Sequence, residues 1–195
     1  MIWNDNMIRD WASNGGVTPF DDNMVNPASL DLRLGDELRE PHPIWGQMTR
    51  EEMNEKIADG SIDDLPKWGE PVKFTKYYLM PRGMGNHFVL CSSLEFVNIP
   101  NDMAALLFSK SSVGRIGVEH LHAGYGDPGW HDSQWTWEIH NVAPWPIPLV
   151  PGKPLMQQVM LRMVGQPART YAVTGRYNHQ SGPTPERKHN TECHQ

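Results

Sequence analysis

Glu138 stands in the run Trp135-Thr136-Trp137-Glu138-Ile139-His140, just after the glycine-rich turn Ala-Gly-Tyr-Gly-Asp-Pro-Gly-Trp at 123–130. At the two-residue period of a strand, Trp135, Trp137 and Ile139 face one way and Thr136, Glu138 and His140 the other. A carboxylate held on that second face in a semi-buried pocket can take a proton from water and deliver it to a leaving group. Read alone, the same side chains also fit the wet face of a sheet over a tryptophan-rich core.

Three more segments carry groups of chemical interest. Residues 109–117, Ser-Lys-Ser-Ser-Val-Gly-Arg-Ile-Gly, put Lys110, Ser111, Ser112 and Arg115 in one short turn. Hydroxyls, backbone amides and cations converging there suit an anion such as phosphate. The spacing is not that of the GxxxxGKS loop, so a serine-rich surface turn stays open. In the glycine-rich turn, Gly124, Gly126 and Gly129 with Pro128 allow backbone to touch a flat ligand, and Asp127 can accept from a sugar hydroxyl. Asp-Pro-Gly is also an ordinary turn sequence. The tail from Arg176 through Tyr177 and Gln180 to Arg187 reads either as a disordered end or as a lid that orders over a bound anion.

His120, His122, His131 and His140 invite a metal. No Cys pair or HExxH accompanies them, and the H-x-E and P-C-x-x-C elements of zinc nucleotide deaminases are absent. The expectation is no protein-held catalytic metal.

Strands dominate the elements that must position these groups. Residues 4–14 have helical spacing and stop at Gly15-Gly16; 49–60 is a charged helix closed by Gly60. Segments 26–35, 71–83, 86–100, 103–114, 136–143, 145–152 and 155–165 read as strands between Pro and Gly breaks. With 17 Gly and 17 Pro among 195 residues, a strand- and turn-rich fold is favoured over a helical bundle. One domain over 1–195 is expected, with 176–195 a flexible C-terminal lid. The net charge of −6 argues against broad nucleic-acid binding. Two distant cysteines, no signal-like N-terminus and no membrane-length apolar run point to the cytoplasm.

Taken in order, "PASLDLRLG" (27–35), "SSVGRIG" (111–117), "AGYGDPGW" (123–130), "WEIHN" (137–141), "LVPGKPLMQQ" (149–158) and "RYNHQSGPTP" (176–185) resemble the dCTP deaminase branch of the trimeric dUTPase superfamily. The resemblance implies a mostly β fold, a distorted barrel or jelly roll with a few short helices, built into a homotrimer with active sites between subunits. It implies deamination of dCTP to dUTP and ammonia without zinc, with magnesium arriving on the triphosphate. Glu138 matches the glutamate of the family's L-E-x-x-N strand, its general acid/base. Ser111 and Arg115 match residues lent by a neighbouring subunit, with Lys110 and Ser112 completing that loop. Backbone around Ala123 would place the water, and Asp127 would bind the 3′-hydroxyl. Thr136, Trp137, Gln157, Tyr171, Arg176 and Gln180 match the nucleotide-contacting side of the site.

Ala123-Gly124-Tyr125 resembles the turn of members that continue to dUMP and pyrophosphate, where a small Gly124 would leave room for a water at the α-phosphate. The chain also departs from the family's pattern. Lys110 replaces Arg, Arg176 replaces Lys, His122 replaces Thr, Gly126 replaces an aliphatic residue, and Met156 and His179 replace glycines. One extra residue lies between Gly129 and Glu138, and one fewer between Arg115 and Asp127. These leave a base-modified or monophosphate deoxycytidine substrate open. They also leave open two other readings, a dUTP diphosphatase without deaminase activity and a non-catalytic nucleotide-binding regulator.

Overall fold

The computed structural model describes residues 1–82 and 88–187. In chain order the helices are α1 (Asp5–Trp11), α2 (Ile44–Gln47), α3 (Arg50–Asp59), α4 (Ser111–Gly114) and α5 (Tyr171–Thr174). The strands are β1 (Val17–Thr18), β2 (Val25–Asn26), β3 (Ser29–Arg39), β4 (Val72–Lys73), β5 (Tyr78–Met80), β6 (Phe88–Val97), β7 (Met103–Ser109), β8 (Val118–His120), β9 (Tyr125–Gly126), β10 (Ser133–Asn141), β11 (Ile147–Leu149) and β12 (Pro154–Arg162).

Local chemistry sets the helix limits. Asn4 caps α1 by accepting from the Met7 amide, and the chain leaves the helical region through Gly15 at φ 91°. Thr49 and Glu52 cap α3 reciprocally, and Gly60 ends it at φ 80°. Segment 103–114 does not stay extended as expected: β7 ends at Ser109 and the serine-rich part winds into α4. Of segment 71–83, only Val72–Lys73 and Tyr78–Met80 are strands, and Gly83 lies outside the described residues.

All the pairings are antiparallel, and the main sheet runs β8-β10-β6-β3-β12-β7-β9, a curled half-barrel. The mostly β expectation therefore holds. β3 is the hinge of the curl. Its first half pairs with β2 and β12, its second with β4 and β6, and the register with β6 shifts between Leu34 and Leu38. Gly35 sits at the change, where a Cβ would come within 3.1 Å of the Ser92 carbonyl oxygen. Leu30, Leu32, Leu34 and Leu38 face inward with Met80, Met103, Trp137, Ile139, Ile147 and Met156. Each such burial contributes about 1.5–3 kcal/mol. Among the described residues no helix is long and apolar enough to cross a membrane.

Candidate active site

Strand β10 carries the central carboxylate. Its burial alternates along Ser133–Asn141, with Trp135, Trp137 and Ile139 buried and Thr136, Glu138 and His140 half-buried. Glu138 pairs with Leu90 on β6, and its carbonyl accepts from the Leu121 amide beyond β8. Its side chain lines an open cleft of about 400 Å³, within the range of small-ligand sites. Ile139 pairs with His120, which brings the His120 Nε2 within 3.4 Å of the Glu138 Oε2. Both atoms are shielded from solvent and neither has a hydrogen-bond partner. The two atoms face each other at ion-pair distance behind the cleft wall, so His120 sits where it can orient the carboxylate.

The glycine-rich turn forms one wall. Ala123, Tyr125, Asp127 and Trp130 line the cleft. Burial raises the proton affinity of the Asp127 carboxyl. Gly129 adopts φ 86°, and its Cβ position is blocked by Asn101 and Thr170, so the turn requires glycine there. Gly124 is buried, and a Cβ there would come 2.7 Å from the Leu107 carbonyl oxygen and Cβ. Its smallness thus serves packing against β7, and its exposed neighbours Ala123 and Tyr125 line the cleft.

The tail forms the opposite wall. Gln134 donates its amide to the Gln180 carbonyl at 3.0 Å, and the Gln180 Nε2 donates to the Gln134 carbonyl at 2.6 Å. The amides of Gly182 and Thr184 donate to the Gln134 Oε1 and the Thr136 Oγ1. Trp130 donates its Nε1 to the Tyr177 carbonyl, and the Trp130 and Trp135 rings pack 4.7 Å apart. Tyr171, whose proton affinity burial raises, and Tyr177 complete an aromatic rim. The excursion between β3 and β4 also reaches the cleft: Trp68 lines it, and Lys67 pairs with Glu186 of the tail at 2.9 Å. Of the expected lid, residues 188–195 lie outside the described residues.

The residues singled out in the sequence fall into two groups. Ala123, Asp127, Thr136, Glu138, Tyr171 and Gln180 share the cleft, with Gly124 packed behind it. Lys110, Ser111, Ser112 and Arg115 lie on the turn around α4, outside the cleft lining. Lys110 pairs with Asp31, which also accepts from the Asn26 Nδ2 at 2.9 Å, and Gln157 sits opposite Asp31 in the β3–β12 ladder. Exposed Arg176 stacks on Tyr177 and is not in the cleft lining. Trp137 is fully buried on the core face and lines nothing of the cleft. Trp68, Leu90 and Trp135 line the cleft without having been expected there, and Thr184, Pro185 and Glu186 line it from within the expected lid. Leu90 alone had a local signal, its place opposite Glu138 once β6 and β10 are paired.

A curled antiparallel sheet with an aromatic-rimmed cleft that holds a carboxylate beside a histidine defines a β protein with a small-ligand site. The chain belongs to the dCTP deaminase-like family, whose model matches residues 2–163. It is 36% identical over 193 residues to a dUMP-forming dCTP deaminase of Rhodococcus opacus (strain B4), covering 96% of each chain. It is 34% identical over 195 residues to the dUMP-forming enzyme of Mycobacterium ulcerans (strain Agy99), covering 97% of this chain and 96% of that one. Among solved structures, the 2'-deoxycytidine 5'-triphosphate deaminase of Agrobacterium tumefaciens matches with a TM-score of 0.58 and 22% identity. That match covers 82% of this chain and 47% of the other, and it speaks to the fold.

Proposed function

We propose that this chain deaminates dCTP to dUTP and ammonia and then carries dUTP to dUMP and pyrophosphate. The observation that carries the first step is the Glu138 side chain in the cleft lining, with its Oε2 turned to the His120 Nε2 at 3.4 Å. Glu138 takes a proton from a water as its oxygen adds to C4 of cytosine. The same carboxyl then gives a proton to the amino group, and the C4–N bond breaks to release ammonia and leave the carbonyl of uracil. His120 lies behind the carboxylate as a positioning residue. Backbone at Ala123 orients the water, and Asp127 accepts from the 3′-hydroxyl. Thr136, Tyr171 and Gln180 hold the base and sugar. General acid–base assistance supplies about 10²–10⁴-fold, so oriented donors must supply the rest.

The phosphates meet Lys110, Ser111, Ser112 and Arg115 of a neighbouring subunit, with Gln157 and Arg176 contributing. Magnesium comes with the triphosphate as part of the substrate, in keeping with its preference for phosphate oxygens. The second step is hydrolysis at the α-phosphate: water forms the new P–O bond and pyrophosphate leaves. Its support is that the Rhodococcus and Mycobacterium relatives are dUMP-forming enzymes. The assembly is a homotrimer working in the cytoplasm.

Labelled dCTP, dUTP and dCMP, with products separated by chromatography, test the reading. Expected from dCTP are ammonia, pyrophosphate and dUMP in equal amounts. Accumulation of dUTP alone would remove the second step. Pyrophosphate from dUTP without ammonia from any deoxycytidine nucleotide would make the chain a diphosphatase and overturn the proposal.

A further inference from the structure

The approach to β10 and the C-terminal tail meet in space at His131, Asp132 and His179. His131, Asp132 and His179 each present a ligand atom, and these atoms lie within 4.8 Å of one another. Among the described residues no other three such side chains do so. The His179 Nδ1 is 3.6 Å from the Asp132 Oδ2, and the two imidazoles pack edge to face at 4.7 Å.

The backbone is specialised at the same place. Asp132 has φ 47° and His179 has φ 57°. A left-handed conformation is uncommon outside glycine and persists where surroundings impose it. Here the Asn98 Oδ1 accepts from the Asp132 amide at 2.7 Å, the Asn178 Oδ1 accepts from the His131 amide at 3.2 Å, and the His131 carbonyl accepts from the His179 amide at 3.3 Å. The His131 ring is oriented as well. Its Nδ1 lies 2.8 Å from the Gly129 carbonyl oxygen. A carbonyl only accepts, so this contact calls for a proton on Nδ1, the tautomer that leaves the Nε2 lone pair for a metal. Metal-binding histidines are commonly prepared by such a bond on the other ring nitrogen.

We propose that His131, Asp132 and His179 bind one divalent transition-metal ion of the zinc class, and that this ion pins the C-terminal tail to the approach to β10. Two imidazoles and a carboxylate are the donors such ions prefer, whereas magnesium asks for oxygen ligands in octahedral array. At bonds of about 2.0–2.2 Å the ligand atoms of a tetrahedral site lie about 3.4 Å apart. The exposed Asp132 and His179 side chains close that gap by rotation, and water takes the fourth position. None of the three lines the cleft, but their neighbours Trp130 and Gln180 do. The ion is therefore a clamp on the tail, not a reactant, and it does not depend on which nucleotide the cleft accepts.

The test uses the full chain without an affinity tag, titrated with Zn²⁺ alone by calorimetry and with Co²⁺ by visible absorption. The same titrations are run on His131→Gln and His179→Gly, the second of which suits the left-handed backbone. Hydrogen exchange of residues 176–187 is followed with and without zinc. Expected are one zinc per chain, at least tenfold weaker binding in each variant, no competition from excess Mg²⁺, and zinc-slowed exchange of the tail in the parent chain only. Equal zinc affinity in parent and variants overturns the site. Zinc that binds without slowing tail exchange overturns the clamp.

Discussion

Glu138 and Asn141 belong to one short motif, yet the structure gives them different work. Asn141 is fully buried, donates to the carbonyls of Pro81 and Trp145, and accepts from the Ala143 amide, so its polar groups are committed to the turn after β10. Glu138 lines the cleft and has only the His120 Nε2 beside its Oε2, at 3.4 Å. A group that carries protons differs from one that only holds shape in its response to an isosteric amide. Glu138→Gln preserves size and hydrogen-bonding capacity but cannot accept and return a proton. It should bind dCTP within a few-fold of the parent, while single-turnover deamination falls by about 10²–10⁴-fold. Calorimetric binding and rapid-quench measurements separate the two quantities. Turnover retained in purified Glu138→Gln would remove the carboxylate from the chemistry.

At the scale of elements, the short β7–β9 pairing holds one wall of the cleft. Leu106 pairs with Tyr125, Ala105 pairs with Gly126, and the Leu107 amide donates to the Gly124 carbonyl at 2.8 Å. Gly124→Ala puts a methyl against backbone that cannot give without moving Ala123 and Tyr125. Overpacking of this kind costs about 1–3 kcal/mol. Urea unfolding should show that loss, together with reduced turnover, whereas Gly46→Ala, with open space at its Cβ, should unfold at or slightly above the parent midpoint. Equal stability in the two variants would mean that the wall is not rigid. The same scale shows what could be read in the chain beforehand. The alternation of β10 and the leucine row of β3 follow from period-2 patterning, and α3 follows from Thr49, Glu52 and Gly60, so these were legible. The partner change of β3 was not, because an inward-facing leucine reads the same whether β12 or β6 lies beside it. Trp68 was equally hidden. It reaches the cleft from a charged excursion, through the pairing of Pro41 with Trp68 and the packing of its ring on Phe88, neither of which has a local signature. Trp135 counts as core by pattern, but the register shift between Gln134 and Thr136 sets it beside both core and cleft.

For the whole molecule, the separation of the two groups of site residues is the informative feature. The cleft holds Glu138, while Ser111 and Arg115 sit exposed on the turn around α4. Exposed apolar side chains flank that turn. Ile116 and Trp145 are joined by an indole-to-carbonyl hydrogen bond, and Val142 donates its amide to Gly117 beside them. Apolar groups gathered next to a cationic loop suit a contact with another copy of the chain. If that contact delivers the loop to a neighbour's cleft, each site takes Glu138 from one chain and Arg115 from the next. Arg115→Ala and Glu138→Gln should then each be inactive alone yet regain activity when assembled together. In any ring of three that contains both variants, the one intact site is that whose cleft comes from the Arg115→Ala chain and whose loop comes from the Glu138→Gln chain, about one site in three. Co-expression with two different tags and tandem purification isolates the mixed assemblies, and ammonia release measures the recovered sites. A site built within one chain would leave every mixture inactive, because each chain would carry a lesion in its own cleft. Activity near one third of the parent's, about one intact site per mixed trimer, would establish that the loop and the carboxylate are contributed by different copies.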